Sequence, residues 1–226
     1  MTPVSGQPKR LPHIDLLKTL AIWFVLIFHG ALYTIYIEPD TPLPILMRYF
    51  SRPILSTCVP LFFFVNGYLL LSRPTSLKKH TLKTLRLMMV TVFWILFLLL
   101  VLQPYYGEYF TWTTLLENCW QLKDGWNNQL WYMEALIGLY LLFPLIKSTF
   151  DHNRPGFYWF TAVMALLLLG SDSTDLGVTL YNLFVKKEFS LYYNDFPLFS
   201  MFNPFGFDIS LSLTYFCLGG TAWALE

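Results

Sequence analysis

Apolar stretches without a charged side chain run over 19–37, interrupted only by His29, then 53–72, 87–107, 135–146, 155–171 and 209–225. A bilayer core is about 30 Å thick, so an α-helix needs roughly 20 apolar residues to cross it. Several stretches reach that length. The chain therefore reads as an all-α integral membrane protein with about six transmembrane helices, near 15–37, 53–72, 84–104, 129–147, 155–171 and 207–225. The fourth becomes long enough only when extended back through Gln129, Leu130, Trp131, Tyr132, Met133 and Glu134, which places one carboxylate inside a membrane helix. The reading is of one polytopic membrane domain over 1–226, without internal repeats.

The connecting segments fit the same picture. Residues 43–50 read as a short helix leading into span two, bent or broken at Pro53. Residues 108–126, with Trp112, Trp120 and Trp126 among polar neighbours, look interfacial, because indoles favour the headgroup zone. Residues 172–206, aromatic and polar without a clean period, read as an external loop. Charged residues make up 13% of the chain against the usual share of about 25%, which argues against a soluble domain. The net charge of +1 offers no basic surface for nucleic acid. Cys58, Cys119 and Cys217 lie far apart, with neither metal-ligand spacing nor a disulfide framework, so no metal is expected.

Orientation follows from Lys and Arg placement. With the amino terminus in the cytoplasm, that side receives Lys9, Arg10, Lys18, Arg73, Lys78, Lys79, Lys83, Arg86, Lys147 and Arg154, and the other only Arg48, Arg52, Lys123, Lys186 and Lys187. The positive-inside rule selects this topology. A cleaved signal peptide is the competing account of the first stretch, but that stretch is long, contains His29 and lacks a small-x-small site after it.

Ionisable side chains within a bilayer are costly, so those that remain are candidates for function. Lys18 and His29 are eleven positions apart, nearly on one helix face and about 16 Å apart along the axis. Asp15, three residues before Lys18, is placed to pair with it, and both also suit plain interfacial charges. His29 is the one histidine of four outside a predicted cytoplasmic segment. It reads either as a satisfied structural histidine or as a general base, since neutral imidazole accepts a hydroxyl proton near neutral pH. Glu134 lies at comparable depth, so it shares a cavity with His29 or faces an outward water pocket. Between spans two and three, Lys79, Lys83 and Arg86 follow an i, i+4, i+7 spacing that suits anionic lipid headgroups and nucleotide phosphates equally.

The motifs resemble the membrane acyltransferase-3 family, whose members acylate surface glycans. Ile14-Asp15-Leu16-Leu17-Lys18 continuing to Phe28-His29 is similar to the family's basic-x10-His helix, and Phe62-Phe63-Phe64-Val65-Asn66-Gly67-Tyr68-Leu69 to its Phe-Phe-x-x-Ser-Gly stretch, with Asn66 replacing Ser. Lys83-Thr84-Leu85-Arg86 occupies the place of an Arg-x-x-Arg element with Lys first. Leu130-Trp131-Tyr132-Met133-Glu134 through Pro144 resembles the family's aromatic helix, and Tyr215-Phe216-Cys217-Leu218-Gly219-Gly220 a later one. Family members have more spans, so the resemblance implies an amino-terminal portion.

The resemblance implies a multi-pass protein of the bacterial cytoplasmic (inner) membrane that transfers an acyl group from cytosolic acetyl-CoA to a hydroxyl of an extracytoplasmic or lipid-linked glycan. His29 would act as general base, with Glu134 beside it. Lys79, Lys83 and Arg86 would hold the donor phosphates, Lys18 and Asp15 would stand at the entrance, and Asn66 would contact the donor arm. Expected partners are membrane lipid and the glycan acceptor; oligomerisation has no sequence signature. Two other classes fit the same residues: a proton-coupled transporter, and an inactive truncated homologue with a scaffold role.

Overall fold

The computed structural model describes residues 11–34, 54–102, 111, 113, 130–168 and 206–226. The described elements are helical. Helix α1 is Pro12–Thr34, α2 Cys58–Leu71, α3 Leu77–Phe97 continuing into a π-helical turn Leu98–Leu102, α4 Trp131–His152, α5 154–168 and α6 Gly206–Leu225. Among the described residues, four segments are long and apolar enough to cross a membrane: Pro12–Gly30, Ile54–Leu71, Leu77–Phe97 and Trp131–His152, and Ile209–Leu225 is a shorter apolar helix. The expected helix over 43–50, the bend at Pro53, and nearly all of the interfacial segment and external loop lie outside the described residues.

Two boundaries differ from the sequence expectation. Helix α3 begins at Leu77 rather than near residue 84, so Lys79, Lys83 and Arg86 stand on its first turns and not in a loop. Pro74 ends the preceding segment and Ser76, in an extended conformation, opens the helix. Long basic side chains can snorkel to the interface while their backbone stays helical, so a charge count ends the span too early. Helix α4 likewise runs past Lys147 to His152.

On α3 burial runs opposite to that of a soluble amphipathic helix. On α3 the inward stripe is His80, Thr84, Thr91 and Ile95, whereas Leu82, Leu85, Met89 and Phe93 face outward. Thr91 is 4% exposed and Phe93 61%. Such a helix is stable where the surroundings are as apolar as its outer face, which is the lipid core. The threonine hydroxyls are satisfied locally: Thr84 donates to the His80 carbonyl at 3.0 Å and Thr91 to that of Leu87 at 3.0 Å.

Helix α6 packs most extensively along α2, and α1 lies on α2 as well. The α2–α6 crossing is set by glycines. A Cβ at Gly67 would fall on the Phe216 carbonyl oxygen, a Cβ at Gly219 on the Phe64 carbonyl, and one at Gly220 on the Leu71 side chain. Lipid tails give helices little hydrophobic reason to associate, so close backbone approach at small residues supplies the packing instead. Around this crossing a core of Phe63, Leu71, Leu139, Phe143, Phe150 and Phe216 is buried. Helix α1 joins through Ile14, which packs with Val65 and Tyr68.

The turn from α4 to α5 is built on Asn153. Its backbone N–H donates to the Thr149 carbonyl at 2.8 Å, ending α4, while its Oδ1 accepts the Gly156 N–H at 3.0 Å, capping α5. Phe150 and Phe157 then meet edge-on, with centroids 4.9 Å apart.

Gly67→Ala and Gly219→Ala should each destabilise the protein by about 1–3 kcal/mol, since each methyl must push two backbones apart. Gly138→Ala, where the added carbon meets nothing within 4 Å, serves as the control. Thermal unfolding in lipid nanodiscs checks the contrast.

Candidate functional site

Among the described residues, the packing collects basic side chains at one end of the bundle. Ile14 of α1 lies beside Tyr68, close to the end of α2. The Lys147 ammonium donates to the Leu71 carbonyl at 2.8 Å and to Asp151 Oδ1 at 2.7 Å, so the end of α4 caps the end of α2. A cation over the last carbonyls also matches the negative end of the helix dipole. Helix α3 starts at this same end, and Lys79, Lys83 and Arg86 climb about 10 Å along it.

One turn into α3, His80 is only 5% exposed and its presence is explained by Pro144 on α4. A proline has no N–H, so the carbonyl four residues earlier, that of Tyr140, loses its helical donor. His80 Nε2 lies 2.7 Å from that oxygen and donates to it. A carbonyl only accepts, which fixes the tautomer with the proton on Nε2. The imidazole also lies over the Phe143 ring, with centroids 4.4 Å apart. On one side of this contact a cleft of about 260 Å³ is lined by Thr75, His80, Pro144, Lys147, Ser148 and Asp151.

Tyr140 carries a second contact. Its hydroxyl accepts a hydrogen bond from the Lys83 ammonium at 3.4 Å, and the ammonium lies 5.1 Å from the ring centroid. His80 and Lys83 are three positions apart on α3, so one helix face meets both the backbone and the side chain of Tyr140.

The residues singled out from sequence land as follows. Lys18 is half-buried and Asp15 exposed; they form no ion pair among the described residues. The Asp15 carbonyl instead accepts the Thr19 hydroxyl at 2.9 Å. The Asp15 carboxylate is exposed, and a pair with so solvated a partner gains little. Lys79, Lys83 and Arg86 are exposed. Asn66 is half-buried, with its amide beside the Tyr132 hydroxyl. Tyr132 in turn packs on Phe63, with ring centroids 5.0 Å apart.

His29 is exposed, with its ring against Phe28 of the same helix. Glu134 is exposed too, while its helix buries Ala135, Leu136, Leu139, Tyr140 and Phe143. At 100° per residue Glu134 falls on roughly the opposite face of α4 from that stripe. Among the described residues no hydrogen bond joins His29 and Glu134. Equal depth was the ground for expecting one cavity, and depth says nothing of azimuth.

Sequence reasoning passed over His80 and Tyr140. A signal was available in Pro144, because a proline inside an apolar helix frees a carbonyl that something must satisfy in the membrane. His80→Leu should lower stability by about 1–3 kcal/mol, the cost of leaving a buried acceptor unpaired. In a Pro144→Ala background, which restores the helical N–H, most of that loss should vanish. Thermal midpoints of the four proteins of this cycle check the coupling, and additive losses would contradict it.

The model of the acyltransferase domain that defines the acyltransferase-3 family matches residues 11–226. No curated relative and no solved structure matches the chain. The match takes in all six described helices, from the Lys18–His29 helix to the Gly219 crossing, and the chain belongs to the acyltransferase-3 family.

Proposed function

We propose that this chain transfers an acyl group, in the first place acetyl, from cytosolic acyl-CoA to a hydroxyl of an extracytoplasmic or lipid-linked glycan at the bacterial inner membrane. Membership of an acyltransferase family supports a transferase role in general. The observation that carries the finer reading is α1, one unbroken helix of 23 residues that holds Lys18 and His29 on nearly one face, about 16 Å apart.

The clustering of basic side chains at one end supports placing that end in the cytosol, by the positive-inside rule. The donor then approaches past Lys18 and Asp15, and Lys79, Lys83 and Arg86 hold its phosphates through charge-assisted hydrogen bonds. Asn66, beside Tyr132, contacts the arm that carries the thioester. His29, toward the other side, takes the proton of the attacking hydroxyl. The new C–O bond forms as the C–S bond breaks, and the departing thiolate recovers the proton from the imidazolium. No acyl-enzyme is required. Glu134, on the opposite face of α4 from the core, has no step in this scheme.

His29→Ala should reduce acetyl transfer by about 100-fold or more while leaving the thermal midpoint unchanged, because an exposed imidazole contributes chemistry rather than packing. Activity and stability falling together would contradict the base assignment. Lys83→Ala and Arg86→Ala should raise the apparent KM for acetyl-CoA with little change at saturating donor, since phosphate contacts set ground-state binding. An unchanged KM would remove the phosphate role.

A further inference from the structure

We infer that Tyr140 is a positioning residue for Lys83, holding its ammonium where an anionic donor meets the bundle. The inference rests on the proposed role of Lys83 in binding the donor phosphates. Four observations lead to it. The Lys83 ammonium lies 3.4 Å from the Tyr140 hydroxyl. It also lies 5.1 Å from the ring centroid, so hydroxyl and π-face hold the same charge. Tyr140 is itself 5% exposed, fixed among core residues, whereas Lys83 is exposed. The backbone of Tyr140 is pinned to the same helix as Lys83 by the 2.7 Å bond from His80.

The chemistry follows from what each partner lacks. A lysine on a membrane-surface helix has four rotatable side-chain bonds and loses much rotamer freedom when it grips a ligand. Tyr140 has two side-chain torsions, both restricted by burial, and its oxygen accepts without neutralising the ammonium. Lys83 is therefore preorganised without a counter-ion. The hydroxyl's own proton stays free, because Lys83 is the donor between them. A carboxylate in place of Tyr140 would fix the lysine equally well but would repel the phosphate. The aromatic alcohol orders the cation without competing with the anion.

Nearby charges do not duplicate the role. Lys147 is engaged with the Leu71 carbonyl and with Asp151. Arg154 stacks on Phe150 at 3.6 Å. Lys79 and Arg86 share a side of α3 with Lys83, but among the described residues neither has an aromatic or hydroxyl partner.

The test is coenzyme A binding to the full chain in lipid nanodiscs, measured by calorimetry for the native sequence, Tyr140→Phe, Lys83→Ala and the double variant, with the thermal midpoint of each. Tyr140→Phe keeps the ring and should weaken coenzyme A binding about 3- to 10-fold, the share of a hydrogen bond to a charged group that ordering recovers. It should add nothing in the Lys83→Ala background. S-acetyl pantetheine, which lacks the nucleotide and its phosphates, should bind native and Tyr140→Phe proteins alike; a general structural defect would weaken both ligands. If Lys83→Ala weakens coenzyme A binding but Tyr140→Phe does not, or if the two losses add in full, the positioning role is wrong and the phosphate role of Lys83 survives. If Lys83→Ala leaves coenzyme A binding unchanged, the phosphate role falls and the positioning role falls with it.

Discussion

A buried carbonyl without a donor is costly, and this constraint organises the bundle at its most informative point. Pro144 interrupts the hydrogen-bond ladder of α4, and the freed Tyr140 carbonyl takes its donor from His80 on α3. An unsatisfied group there would cost about 1–3 kcal/mol. A break in one helix thus becomes a specific bond to its neighbour, and it fixes the rotation of α3 about its axis. That rotation decides which α3 side chains meet Tyr140. Lys83 is one of them, so the geometry of a candidate donor contact follows from a proline one turn away on another helix.

The remaining association uses the complementary device. Helices α2 and α6 meet where Gly67 and Gly219 allow backbone to approach backbone. Large aromatic side chains, Phe63, Phe143, Phe150 and Phe216, fill the space on either side. Glycine contact sets distance, and aromatic packing sets shape. Helix α1 is held differently, through Ile14 and Ala21 along one narrow stripe, with Leu16, Ile22, Trp23 and Leu26 facing outward. The helix that carries Lys18 and His29 therefore sits at the edge of the described bundle, where both polar side chains are accessible along its length.

Much of this architecture is written in the sequence, because membrane spans are a one-dimensional property. Uninterrupted apolar length places α1, α2 and α6 well. It misplaces the start of α3, since Lys78, Lys79 and Lys83 look like loop residues until snorkelling is allowed for. The ordered motifs point to the acyltransferase-3 family, and the family match over 11–226 agrees. Relations between helices are a different matter. Depth along the axis suggested one cavity for His29 and Glu134, but Glu134 lies across α4 from the buried stripe. His80 looked like a charge-rich loop histidine and is instead buried against Phe143. Azimuth and tertiary partners depend on which faces meet, and hydropathy alone does not encode that.

The proposed reaction moves an acyl group from a donor at the basic end of the bundle to an acceptor at the other. Reconstitution in liposomes with a single, protease-verified orientation tests this most directly. Radiolabelled acetyl-CoA is supplied either to the face bearing Lys79 and Lys83 or to the opposite face, with glycan acceptor on the far side in each case. The account predicts O-acetylated acceptor only when donor bathes the basic face. Labelling from the opposite face, or no labelling from either, would contradict it.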